Sequence, residues 1–134
     1  MFDRGEFERW IAQSDKTLTS AEHDLSAGAY NWTCFKAQQA AECAVKALLR
    51  ATAVPAVGYS VLKLMEALAN QGFEIAQLTH CARIIDAHYL PTRYPDVYPQ
   101  GSPFEFYDED IAREAIKCAQ QIIESIKVEA RRRE

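Results

Sequence analysis

Long apolar runs are missing from this sequence. The longest stretch free of Asp, Glu, Lys and Arg is twelve residues, 51–62, and Pro55 and Gly58 interrupt it. A bilayer-crossing helix needs about 20 consecutive apolar residues, so no membrane span is expected. Basic charge is not in excess: 15 Lys and Arg against 19 Asp and Glu leave a net charge of -4. Proteins that coat nucleic acid draw affinity from neutralising phosphates, and an acidic chain argues against that role. The five glycines, at 5, 28, 58, 72 and 101, are scattered, so no glycine loop can cradle a phosphate. No Gly-x-Ser-x-Gly elbow occurs. The three histidines lack metal-ligand spacing, His80 and His88 having only Asp86 near them, and neither a metal nor another cofactor is expected. Cys34, Cys43, Cys81 and Cys118 show no Cys-x-x-Cys spacing, which removes the common zinc and thioredoxin-like readings. The first residues lack the apolar core of a signal peptide. The chain is therefore expected in the reducing cytoplasm, with all four cysteines as thiols.

What is present is an ordinary globular composition, 49% hydrophobic and 25% charged over 134 residues, enough for one domain with a single core at about 7–128. Helical spacing dominates. Asp3-x-x-Glu6 resembles a capping box and opens a stripe at Phe7, Ile11, Ser14, Leu18, Ala21 and Leu25. Gly28 is placed to end that helix. A second helix is expected from about Asn31 to Thr52, with an alanine-rich inner face of Cys34, Ala37, Ala41, Ala44, Val45 and Leu48. Ser60 is a good N-cap for a short third helix ending before Gly72. A fourth is expected from about Ile75 to His88. The last, from about Asp108 to Val128, carries Ile111, Ala115, Ala119, Ile122 and Ile126 in steps of four and three. With no sustained β alternation, the fold class is all-α: an antiparallel up-down bundle of four long helices and one short one.

Residues 89–107 break the pattern. They hold four of the five prolines and six of the fourteen aromatic residues, so the stretch is not regular helix. Long irregular loops in compact domains are usually functional or disordered, and this aromatic content favours a loop that packs on the bundle and presents something. Within it, Arg93-Tyr94-Pro95-Asp96 reads in two ways. Arg93 and Asp96 can fix the turn by a salt bridge, or Arg93 can face a phosphate or partner carboxylate while Tyr94 or Tyr98 stacks a base. On the second helix, Glu42 precedes Lys46 by four residues, a favourable ion-pair spacing. With Gln39 they form either a solvated face or a polar seam against a second subunit or the aromatic loop.

Taken in order, Trp10 through Ala21-x-x-Asp24-Leu25, Gln38-Gln39-Ala40-Ala41-Glu42 with Lys46-Ala47-Leu48-Leu49, Ser60-Val61-x-x-Leu64 and Tyr89-x-x-x-Arg93-Tyr94-Pro95-Asp96, with Tyr107 opening the last helix, resemble a HEPN domain (higher eukaryotes and prokaryotes nucleotide-binding). The resemblance implies a helical bundle that commonly dimerises and often pairs with a minimal nucleotidyltransferase. Many HEPN proteins are metal-independent ribonucleases that use an Arg-x(4–6)-His motif near the last long helix. Here the matching arginine is Arg93, but Tyr98 stands where the histidine belongs and none follows downstream. Tyr59 also replaces a histidine frequent in the family. Both departures remove imidazoles able to act as acid or base near neutral pH. The resemblance thus implies a non-catalytic, homodimeric module that binds a nucleotide, RNA or a nucleotidyltransferase partner through Arg93, Tyr94, Asp96 and Tyr98, with Lys46 a candidate phosphate-facing charge. The alternative is a ribonuclease toxin of a toxin–antitoxin pair, using Arg93, or Arg83 of the literal Arg83-x4-His88, with His88 or a tyrosine. A dimeric scaffold without a ligand is the third reading.

Overall fold

A computed structural model describes residues 1–133. Five α-helices account for most of it: α1 (Arg4–Ser26), α2 (Tyr30–Ala51), α3 (Val61–Ala69), α4 (Thr79–Asp86) and α5 (Glu109–Arg132), with no strand among the described residues. Their starts follow local chemistry. Asp3 accepts from the Glu6 N–H, Ser60 from the Lys63 N–H and Asp108 from the Ile111 N–H, each satisfying a donor that helix geometry leaves free. The box at α1 forms only in part. Glu6 turns to the Arg9, Trp10 and Arg50 side chains, and the Asp3 N–H donates instead to the Ala51 carbonyl at 2.8 Å.

α1 and α2 form an antiparallel pair. Glu6 meets Arg50 at one end, Ser14 Oγ donates to the Ala40 carbonyl at 2.7 Å in the middle, and Lys36 pairs with Asp24 at 2.7 Å at the other end. The contact is close because α2 offers fully buried alanines at 37, 40, 41, 44 and 47. α5 starts beside the α1–α2 turn and holds Asp15 of α1 through Lys127 at 2.9 Å, so it runs against α1 and alongside α2. The shorter α3 and α4 close the remaining side. α4 is led in by a 3-10 turn at Ala76–Leu78. Leu48, Leu49, Leu68, Ile85, Ile122 and Ile126 fill the centre without solvent exposure.

The expectation of four free thiols is corrected here. Cys81 of α4 and Cys118 of α5 form a disulfide, their Cα atoms 5.0 Å apart, while Cys34 and Cys43 remain free. The two lie 37 residues apart in sequence, and only the packing of α4 on α5 brings them into range. No described helix is long and apolar enough to cross a membrane.

Candidate functional site

The proline- and aromatic-rich stretch leaves α4 and folds back on the start of α2. Thr92, fully buried, donates through its hydroxyl to the His88 carbonyl at 2.7 Å, and the Asn31 side chain of α2 donates to the Thr92 carbonyl at 3.0 Å. Main-chain bonds from Arg93 and Tyr94 to the Leu90 carbonyl close the turn. Pro95–Val97 and Pro103–Phe106 are short 3-10 turns, the proline of each fixing φ at its first position.

That turn sets Arg93 in an aromatic frame. Its guanidinium donates from Nε (3.0 Å) and Nη2 (2.7 Å) to the Tyr89 carbonyl and from Nη1 to the Tyr94 hydroxyl at 3.4 Å. It lies 4.1 Å from the Phe35 ring centroid, 4.7 Å from Tyr89 and 4.9 Å from Tyr94, positions at which the ring quadrupole attracts a cation. The frame continues outward: Tyr59 stacks on Tyr89 at 3.8 Å, and Trp32 meets Phe35 edge-on at 6.2 Å. Trp32, Tyr59 and Tyr94 remain exposed. The result is one surface with a fixed, half-exposed cation amid aromatic faces.

Among the described residues Arg93 has no ion pair, so the Arg93–Asp96 salt bridge does not form; the carbonyl of Tyr89 takes that place. Asp96 stands exposed on the 3-10 turn with no hydrogen-bond partner among the same residues. Tyr98 points elsewhere: its hydroxyl donates to the Pro91 carbonyl at 2.8 Å and its ring stacks on Phe106 at 4.2 Å. Lys46 is apart from the arginine. It sits eleven residues beyond Phe35 on the same helix, about 16 Å along the axis, and is bound to Glu42 at 2.9 Å. Phe35, Tyr89 and Trp32 complete the frame but were not singled out for it; Trp32-x-x-Phe35 at the head of a helix was the available signal.

The Gln39–Glu42–Lys46 group is no solvated face. The Lys46 and Glu42 side chains are 15% and 17% exposed. Gln38, fully buried, donates to the Tyr59 carbonyl at 2.9 Å, and Gln39 donates to Gln38. This seam locks the segment before α3 and thereby seats Tyr59 against Tyr89. The opposite side of the same segment is held by Asp86, whose carboxylate accepts from the N–H groups of Val61 (2.7 Å) and Leu62 (3.1 Å) and from the Ser60 hydroxyl (2.8 Å).

Arg83 and His88 are not brought together. Arg83 is exposed, whereas His88 is 8% exposed, its Nε2 buried with no hydrogen-bond partner among the described residues and its ring edge-on to Tyr107 at 5.7 Å. Burial pushes the His88 imidazole down to about 4, which keeps it neutral at physiological pH. Burial also pushes the Tyr107 phenol up, with the Tyr98 hydroxyl adding to the effect. No group of three His, Cys, Asp or Glu that would hold a metal converges among the described residues.

A family model for the HEPN domain matches residues 7–129. The crystal structure of TT1696 from Thermus thermophilus is similar with a TM-score of 0.88 and 36% identity, over 92% of this chain and 97% of that one. ST0689, described as an archaeal HEPN homologue, gives a TM-score of 0.78 and 38% identity over the same shares. A HEPN domain protein of Thermotoga maritima gives 0.71 and 33% identity, over 89% of this chain and 94% of that one. No curated protein matches.

Proposed function

This chain belongs to the HEPN domain family, and on that footing we propose that it is a non-catalytic, homodimeric module of the cytoplasm whose Arg93 surface binds a nucleotide or a minimal nucleotidyltransferase partner. The observation that carries the reading is the Arg93 guanidinium. No carboxylate neutralises it among the described residues, two of its N–H groups are fixed on the Tyr89 carbonyl, and exposed rings flank it. A cation held in this way meets a phosphate, or a carboxylate of a partner, at little further ordering cost. Tyr94, Tyr59 and Trp32 offer faces on which a base can stack. Asp96, on the next turn, is placed to meet a ribose or base donor. Lys46 contributes less than the sequence suggested, because Glu42 already takes up its charge.

The ribonuclease alternative needs His88 or a tyrosine beside Arg93 or Arg83, and of the tyrosines only the Tyr94 and Tyr89 groups meet Arg93 among the described residues. His88 is buried and far from a protonated state at neutral pH, and Arg83 faces solvent. The decisive experiment pairs equilibrium binding of ATP and GTP with cleavage of a labelled structured RNA in EDTA, for the wild type, Arg93→Ala and His88→Ala. We expect no cleavage. A charge-assisted bond contributes about 1.5–3 kcal/mol, so Arg93→Ala should weaken binding by roughly 10- to 100-fold with the helical circular dichroism intact. Metal-independent cleavage lost in either variant would establish the ribonuclease instead. Unfolding of Arg93→Ala would make Arg93 a clamp of the loop. Sedimentation velocity tests the dimer.

A further inference from the structure

We propose that Cys81 and Cys118 form a reversible dithiol–disulfide site, oxidised by low-molecular-weight disulfides of the glutathione type, that staples the two ends of the aromatic loop. The reading is independent of what Arg93 binds. The bridge joins α4 to α5 and encloses a 37-residue separation that contains the whole stretch 87–108, including Tyr89, Arg93, Tyr94 and Tyr98. Closing such a ring removes conformations from every segment inside it.

Both redox states fit the fold. In the disulfide the Cα atoms are 5.0 Å apart, inside the range that needs no backbone movement. In the same structure Gln121 Oε1 lies 3.3 Å from Cys81 Sγ, where it would accept a hydrogen bond from a reduced Cys81 thiol. A hydrogen-bond acceptor for the reduced thiol is therefore in place, and the proton that oxidation removes leaves to solvent. Both cysteines are buried, and they differ in their place on the helices. Cys81 is 9% exposed and is the third residue of α4, where the helix N-terminus favours a thiolate; Cys118 is 5% exposed and lies mid-helix. An open groove of about 580 Å³ runs past Lys117 and Gln121, the residue before Cys118 and the side chain bonded to Cys81. The remaining thiols do not compete: burial pushes Cys34 up to about 12 and raises Cys43 as well.

The exchange balances in two steps. The Cys81 thiol gives its proton to solvent, and the thiolate attacks one sulfur of the small disulfide, forming a mixed disulfide and releasing one small thiolate. The Cys118 thiolate, its own proton lost to solvent, then attacks Cys81 Sγ and expels the second small thiolate. The two released thiolates take up the two protons. The protein loses two electrons and two hydrogens, and the small disulfide becomes two thiols.

The test treats fully reduced protein with oxidised glutathione, quenches with iodoacetamide and maps peptides by mass spectrometry, alongside hydrogen exchange over 89–107. The expected result is one crosslinked Cys81–Cys118 peptide with Cys34 and Cys43 still alkylatable, reversed by dithiothreitol without denaturant. Cys118→Ala should trap one glutathione on Cys81, and Cys81→Ala should react more slowly. Amide exchange in the loop should slow several-fold on oxidation. Three results overturn the proposal: thiols that stay reduced, a bridge that dithiothreitol opens only after unfolding, or loop exchange identical in both states.

Discussion

At the scale of single residues, burial and backbone angle decide more than residue type. His88 is neutral because its ring is enclosed, held down to about 4 from an ordinary value near 6.5. The unfolded chain therefore binds a proton that the folded chain refuses between those values, and stability falls as pH drops from about 6.5 towards 4. The loss is on the order of 3 kcal/mol. Urea titrations from pH 7 to pH 4 should show this slope in the wild type and not in His88→Asn. Glu6 acts in a lower window: Arg9 first, then Arg50, hold its carboxylate down to about 2 from 4.5, so its contribution is complete above pH 4.5 and is lost progressively as pH falls from there to about 2. Ala53 is a separate case. It has φ +59° just past α2, where its N–H bonds the Arg50 carbonyl and the Val54 N–H bonds the Leu49 carbonyl, a C-cap that favours glycine. Ala53→Gly should stabilise the protein by about 1 kcal/mol, read as a higher urea midpoint with an unchanged slope.

At the scale of elements, α2 organises the molecule. Its small face admits α1 and α5, while its polar seam and the Asp86 carboxylate together fix the segment that starts α3. Asp86 satisfies two free N–H groups and the Ser60 hydroxyl at once, which is more than a usual N-cap does. Asp86→Ala should cost about 2 kcal/mol in chemical denaturation. Because Tyr59 hangs from the same segment and stacks on Tyr89, the substitution should also change the near-ultraviolet circular dichroism of the aromatic surface. Asp86→Asn should recover part of both effects, since one oxygen remains to accept.

At the scale of the whole molecule, the disulfide is the one covalent tie between helices among the described residues. A closed loop with a 37-residue separation lowers the entropy of the unfolded chain by an amount equivalent to about 4 kcal/mol. The oxidised protein should therefore have a clearly higher urea midpoint than the reduced protein, and Cys81→Ala should match the reduced form whatever the redox buffer. A difference under about 1 kcal/mol would mean that helix packing alone already confines the loop.

The five helices and the break at 89–107 were legible in the sequence, because periodicity, caps and prolines act within one or two turns of the chain; the family was legible by resemblance, from the order of its motifs. The fourth helix was expected as a long one from about Ile75 to His88, but its α-helical part is only Thr79–Asp86, led in by the 3-10 turn Ala76–Leu78, so three helices are long and two are short. Arg93 was also legible as the informative residue of its tetrapeptide. Its partners were not. An arginine beside a carboxylate suggests a salt bridge, yet the turn directs the guanidinium onto a carbonyl one helical turn back and onto Phe35 of another helix. The same holds for the burial of His88, the partial burial of Lys46 and Glu42, and the meeting of Cys81 with Cys118. Each depends on how two distant elements pack, and side-chain spacing along one element carries no information about the other.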